Sequence, residues 1–143
     1  MGDLLAEQRQ YGEALKLYMD AAQLYEEQPD KQAQCLSATG RMYLLLKQPD
    51  SAFYYFHKGL KTAKSTGDNK LQSLLAQNLS VAYADAKQYS QAEKYLLYAY
   101  QLNEDSTELS IFYLNFAKIY DTMGLTDSAT LYTDKLIERL YLT

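Results

Sequence analysis

The chain has 143 residues, 48% hydrophobic and 22% charged, which suits one compact domain or a short repeat array and excludes a large multidomain enzyme. Fourteen Lys and Arg against 18 Asp and Glu leave a net charge of -4, without the basic excess that a phosphate backbone demands, so nucleic acid is not an expected direct partner. The single cysteine, Cys35, rules out an internal disulfide, and no apolar run of about 18 residues exists for membrane insertion of this segment.

In chain order, the apolar spacing predicts a helical stub at 3–7 and a helix at 9–27, broken before Pro29 and Asp30. A helix at 31–46 follows, with Leu36, Met42, Tyr43 and Leu46 at helical spacing. The next spans 50–65, with Ala52, Phe53, Phe56, Leu60 and Ala63 on one face, and stops at Gly67 and Asp68. Further helices are predicted at 69–86, 89–102, 106–122 and 126–141, and no strand alternation interrupts them. Pro29 and Pro49 suit a first helical turn, where the missing N–H is no loss.

The sequence repeats itself. Ala14, Ala52, Ala92 and Ala129 recur at intervals of 38, 40 and 37 residues. Ahead of three of them stands a small residue followed three places later by tyrosine: Gly40 and Tyr43, Ser80 and Tyr83, Ala117 and Tyr120. Each unit therefore has two helices, and the small residues mark where the pair approaches closely, with a larger neighbour filling the groove beside them.

This pattern resembles the tetratricopeptide repeat, most closely at residues 40, 43, 52 and 59 and at 80, 83, 92 and 99. The resemblance implies an all-α, right-handed superhelical solenoid of antiparallel helix pairs, about three and a half repeats long. A partial repeat falls at 1–30, with Gly2 as the small residue of a truncated first helix, and full repeats at 31–68, 69–104 and 105–143. The periods exceed the usual length of about 34 residues, as in the relatives found in kinesin light chains and in bacterial peptide-sensing regulators. The opening in mid-repeat implies a fragment of a longer protein. In the last unit Thr133 stands where Phe56 and Leu96 stand, and Leu136 replaces the small residue. Leu136, Ile137, Leu140, Tyr141 and Leu142 have no later helix to cover them, so this end is expected to meet another copy, as a homo-oligomer, or more of the chain.

In the family, first helices of successive units line a groove that binds a peptide or helix of a partner protein. Position by position, the resemblance places there Gln34, Ser37, Ala38, Arg41 and Leu45, then Leu74, Gln77, Asn78, Val81 and Asp85, then Ile111, Leu114, Asn115, Lys118 and Asp121. Asn78 and Asn115 both lie two residues before the small position, and a carboxamide bonds a peptide backbone without reading its sequence. The alternative is that both merely bond neighbouring helices. Arg41 and Lys118, in units separated by one without a basic groove residue, do not make the clamp that grips a C-terminal carboxylate. Leu74, Val81, Ile111 and Leu114 suit an amphipathic segment instead.

Chemistry has little to work with. His57 is the only histidine, no nucleotide-binding, metalloprotease or hydrolase motif appears, and neither cofactor nor metal is expected. Cys35 with His57 is the one pair to check, against a plain reading as a buried thiol and a surface imidazole. Lys58, Lys61 and Lys64 run down one outer helix face, with Lys70 beyond, as a solubilising stripe. Tyr43, Tyr83 and Tyr120 belong to the core, while Tyr54, Tyr95, Tyr98 and Tyr132 fall on second-helix faces, as scattered surface aromatics or a partner patch. Two functions follow: a non-enzymatic interaction module with a peptide in its groove, or an oligomerising or sensory portion of a larger bacterial signalling or transcription-regulating protein.

Overall fold

The computed structural model describes residues 2–141, and side chains from residue 4 onward. Helical spacing of apolar residues gives α1 (Gly2–Leu24), α2 (Pro29–Leu45), α3 (Pro49–Thr66), α4 (Asn69–Asp85), α5 (Tyr89–Leu102), α6 (Leu109–Thr122) and α7 (Thr126–Tyr141). Pro29 and Pro49 open α2 and α3, since proline is pre-set for a first turn. The expected break between a stub and a second helix does not occur. Glu7, Gln8, Arg9 and Gln10 are helix formers with no glycine or proline among them, so α1 runs through. The expected start of the sixth helix at 106 is a 3-10 turn, Ser106–Glu108. Asp105 sets it by accepting from the Thr107 N–H at 2.9 Å. The proposed role of the Gly2 side position and the exposure of Leu142 lie outside the described residues.

The turns inside the three complete helix pairs share one geometry. Lys47 (φ 58°), Lys87 (φ 62°) and Gly124 (φ 77°) are left-handed. Their N–H groups reach the carbonyls of Leu44, Ala84 and Asp121 at 3.0 Å, and the N–H groups of Gln48, Gln88 and Leu125 reach those of Tyr43, Tyr83 and Tyr120 at 2.9 Å. This double closure satisfies the last carbonyls of the first helix and turns the chain back on itself. Only the third turn uses glycine, so the two lysines hold a conformation that L side chains adopt at a cost.

The pairs close by fitting small against large. Gly40 faces Phe56, which is fully buried, and a Cβ at Gly40 would stand 2.5 Å from its ring. At the equivalent places Ser80 donates its hydroxyl to the Ala92 carbonyl at 2.8 Å, and Ala92 and Leu96 are buried. Gly59 likewise lets α3 approach the Leu75 side chain, 2.9 Å from where its Cβ would lie. A tyrosine pair clasps each unit across its two helices. Tyr43 stacks on Tyr55 (5.3 Å between centroids), Tyr83 on Tyr95 (5.5 Å) and Tyr120 on Tyr132 (5.7 Å). Tyr95 and Tyr132, read from the sequence as surface residues, are therefore half-buried stacking partners.

Besides packing on α3, α2 packs against α4, an approach that no two of the outer helices α1, α3, α5 and α7 match. With α2 and α4 close and the outer helices α3 and α5 spread, the inner side of this part of the helical repeat solenoid is concave. The third pair is attached mainly through α5 and α6. Phe112 and Phe116 of α6 are buried in the cluster that holds Ala92, Leu96 and Ala99 of α5, and both meet the Tyr100 ring edge-on. These bulky rings, together with the longer connection through Ser106–Glu108, keep α6 from approaching α4 as α4 approaches α2.

Two substitutions check this account by chemical denaturation. Gly40→Ala forces a methyl into the buried Phe56 ring and lowers stability by about 1–3 kcal/mol. Lys87→Gly relieves the left-handed backbone and raises stability by up to about 1 kcal/mol, the left-handed penalty less glycine's added chain entropy.

Candidate functional site

The inner face is carried by α2, α4 and α6, whose core-facing residues fix which side chains remain outside. Leu36, Leu75, Leu79, Phe112 and Phe116 are buried. One-third of a turn away, Leu74, Val81, Ile111 and Leu114 are 45%, 49%, 52% and 41% exposed. Leu45, Gln34, Arg41, Asp85, Lys118 and Asp121 are also exposed, and Gln77, Asn78 and Asn115 are half-buried.

Ser37 and Ala38 are buried, and Ser37 serves the contact between α2 and α4 through its hydroxyl. The Asn78 amide donates to the Ser37 hydroxyl at 2.8 Å, which makes Asn78 a tie between two first helices. Gln77 donates to Ser73 at 3.4 Å, and Ser73 donates to the Ala99 carbonyl at 3.1 Å. Asn115 has no hydrogen-bond partner among the described residues. The two asparagines, alike in sequence, thus differ in role because α2 reaches α4 and α4 does not reach α6 in the same way.

At one end of the groove Gln34, Leu74 and Gln77 come together around a cavity of about 240 Å³, joined by Asp68, Lys70, Leu71 and Glu108. Lys70 and Glu108 were missed by the repeat register. Lys70 sits in the first turn of α4 and Glu108 in the 3-10 turn before α6, and only the fold brings the two to the groove mouth. A ligand there meets opposite charges beside an apolar leucine.

The cysteine and histidine do not make a catalytic pair. Burial raises the Cys35 thiol above its ordinary value of 9.0, the reverse of what a thiolate nucleophile needs. The His57 Nε2 is hydrogen-bonded to the Tyr83 hydroxyl at 2.8 Å, and the ring lies edge-on to Tyr83 and Tyr95. Partial burial, then the charges of Lys64 and Lys94, hold the imidazole below its ordinary value of 6.5. The Tyr120 hydroxyl is pushed up to about 12 by burial, by the Glu93 carboxylate and the Tyr132 ring hydroxyl nearby, and by a hydrogen bond with Glu93. Among the described residues no group of three His, Cys, Asp or Glu is placed to hold a metal ion, and no helix is long and apolar enough to cross a membrane.

At the far end α7 is anchored by Arg139, which donates to the Ser106 carbonyl. Ile137, Leu140 and Tyr141 stay exposed. Leu136 is half-buried.

Residues 1–65 match the tetratricopeptide repeat family model. No curated protein matches the chain. Among solved structures, BtubC (BKLC) from P. vanneervenii superposes with a TM-score of 0.81 at 18% identity, over 90% of this chain and 56% of that one. The TPR domain of Arabidopsis FLU gives 0.72 at 21% identity, over 80% of this chain and 99% of that domain. Aspartyl phosphate phosphatase F from Bacillus subtilis gives 0.81 at 24% identity, over 90% of this chain and 35% of that one. At these identities the likeness is one of fold, and the chain spans little more than half the length of BtubC and about a third of the phosphatase.

The depressed pKa of His57 has a sign that can be checked. The unfolded chain takes up the proton at a higher pH than the folded one, so stability is full above the ordinary value of 6.5 and falls as the pH drops through it. Thermal unfolding at pH 7.5 and pH 5.5 should therefore show a larger loss on acidification for the wild type than for His57→Gln.

Proposed function

We propose that this chain, whose residues 1–65 match the tetratricopeptide repeat family model, is a protein interaction module holding a peptide segment of a partner in its inner groove. The observation that carries this reading is the cavity where Gln34, Leu74 and Gln77 converge with Lys70 and Glu108, continued by exposed Val81, Ile111 and Leu114. An apolar side chain of the ligand would lie on these residues. Asn115, with its amide free of partners among the described residues, would meet the ligand main chain. Leucines alternating with amide and charged groups suit an amphipathic segment, recognised by a few apolar anchors with polar contacts at the rim.

A second reading, as the sensory or assembling part of a larger bacterial regulator, is favoured by the exposed Ile137, Leu140 and Tyr141 of α7. These offer a surface to a second copy or to more of a longer chain. The two readings coexist, because a groove that receives a peptide and an end that assembles occupy different faces.

Peptides selected from a random display library on the full chain test the groove. Leu114→Asp combined with Asn115→Ala should weaken their binding about tenfold or more while circular dichroism and melting stay as in the wild type. Equal binding by the folded double variant would remove recognition from the groove. Asn78→Ala serves as the contrast, lowering stability by about 1 kcal/mol through loss of its bond to Ser37.

A further inference from the structure

The outer side of the solenoid carries a niche that repeats along the array with a change of charge. Between α1 and α3 lies a cavity of about 340 Å³, lined by Ala22, Glu26, Tyr55 and Lys58 among others. One repeat later, between α3 and α5, the cavity is about 520 Å³, and the corresponding positions are Leu60, Lys64, Tyr95 and Tyr98. In the first niche Glu26 and Lys58 offset one another. In the second, Lys64 replaces the glutamate and Lys94 joins it.

The two ammonium groups are held in place by rings. Lys64 Nζ lies 5.1 Å from the centre of Tyr98, and Lys94 Nζ lies 5.6 Å from that of Tyr95, positions stabilised by the ring quadrupole. Neither makes an ion pair with another described residue. Glu93, the one carboxylate lining the niche, is engaged with the Tyr120 hydroxyl. Both lysine charges also act on His57. Leu60 and Leu97 supply apolar wall beside the charges.

We propose that the niche between α3 and α5 is a second docking site, separate from the inner groove, which takes an acidic segment of a partner protein through an Asp or Glu side chain flanked by an apolar residue. The carboxylate lies between the Lys64 and Lys94 ammonium groups, where charge-assisted hydrogen bonds replace missing ion pairs. The apolar neighbour covers Leu60, Leu97 and the tyrosine faces. A short acidic segment suits the niche better than a long polyanion. The net charge of -4 repels an extended phosphate chain, whereas one or two carboxylates feel chiefly the charges within a Debye length of about 8 Å.

His57 is a built-in reporter of this site. The charged and titratable groups facing it are Lys64 on its own helix, Tyr83 on α4, and Lys94 and Tyr95 on α5. A carboxylate between the lysines offsets the charges that depress the imidazole, so the His57 titration midpoint should rise on binding.

The test uses the full chain on an array of random nonapeptides. The expected binders are enriched in Asp or Glu beside an apolar residue, and raise the His57 midpoint followed by NMR. They should lose about tenfold or more in affinity with Lys64→Glu or Lys94→Glu, while the groove variant Leu114→Asp leaves them unchanged. Circular dichroism and the milder Lys64→Gln separate loss of contact from loss of fold. Acidic binders indifferent to both charge reversals would overturn the proposal. So would a binder set without acidic enrichment, or an RNA nonamer that competes as strongly as the peptide.

Discussion

The helix pairs α2–α3 and α4–α5 each depend on a close approach at one small residue. Gly40 lies against the Phe56 ring with no space for a Cβ, and Ser80 approaches the backbone of α5 closely enough to bond the Ala92 carbonyl. The size of the small residue answers the size of its opposite: glycine where the partner helix carries phenylalanine, serine where it carries leucine at the equivalent position. Van der Waals packing of this kind leaves no room for slippage, so the crossing of each pair is fixed where its core is densest.

Around that contact the rest of a unit is set by geometry that repeats. The left-handed residue at 47, 87 and 124 returns the chain so that the second helix starts beside the end of the first. The tyrosine whose carbonyl closes that turn is the same one whose ring stacks across it, on Tyr55, Tyr95 or Tyr132. Tyrosine suits this place because the ring covers the core while its hydroxyl stays within reach of a polar partner. Tyr83 shows this, with Phe53 and Tyr95 on its faces and His57 at its hydroxyl.

The units differ in the chemistry they present on either side of the solenoid. One outer niche is electrically balanced and the next is basic, although the same scaffold forms both. On the inner side Asn78 is spent on Ser37, while Asn115 has no hydrogen-bond partner among the described residues. A solenoid makes such differences local, because each repeat touches only its neighbours and a change in one leaves the others standing.

Spacing of apolar and small residues, which acts over one or two turns and recurs along the chain, is enough to read the helices after the first, their pairing and the fold class. It also placed Leu74, Val81, Ile111 and Leu114 on an outward face, since helical period alone separates them from Leu75, Leu79 and Phe112. It misplaced what depends on local detail without a period: the continuity of α1 through four polar helix formers, and the 3-10 turn set by Asp105. How units lean on each other is settled by contacts between helices far apart in the chain, and that lean places the candidate site residues. Ser37 was drawn inside because α2 meets α4. Lys70 and Glu108 reached the groove mouth from separate turns, and Tyr95 left the surface to stack on Tyr83. These outcomes depend on distances between residues 12 to 41 positions apart, which no local pattern encodes.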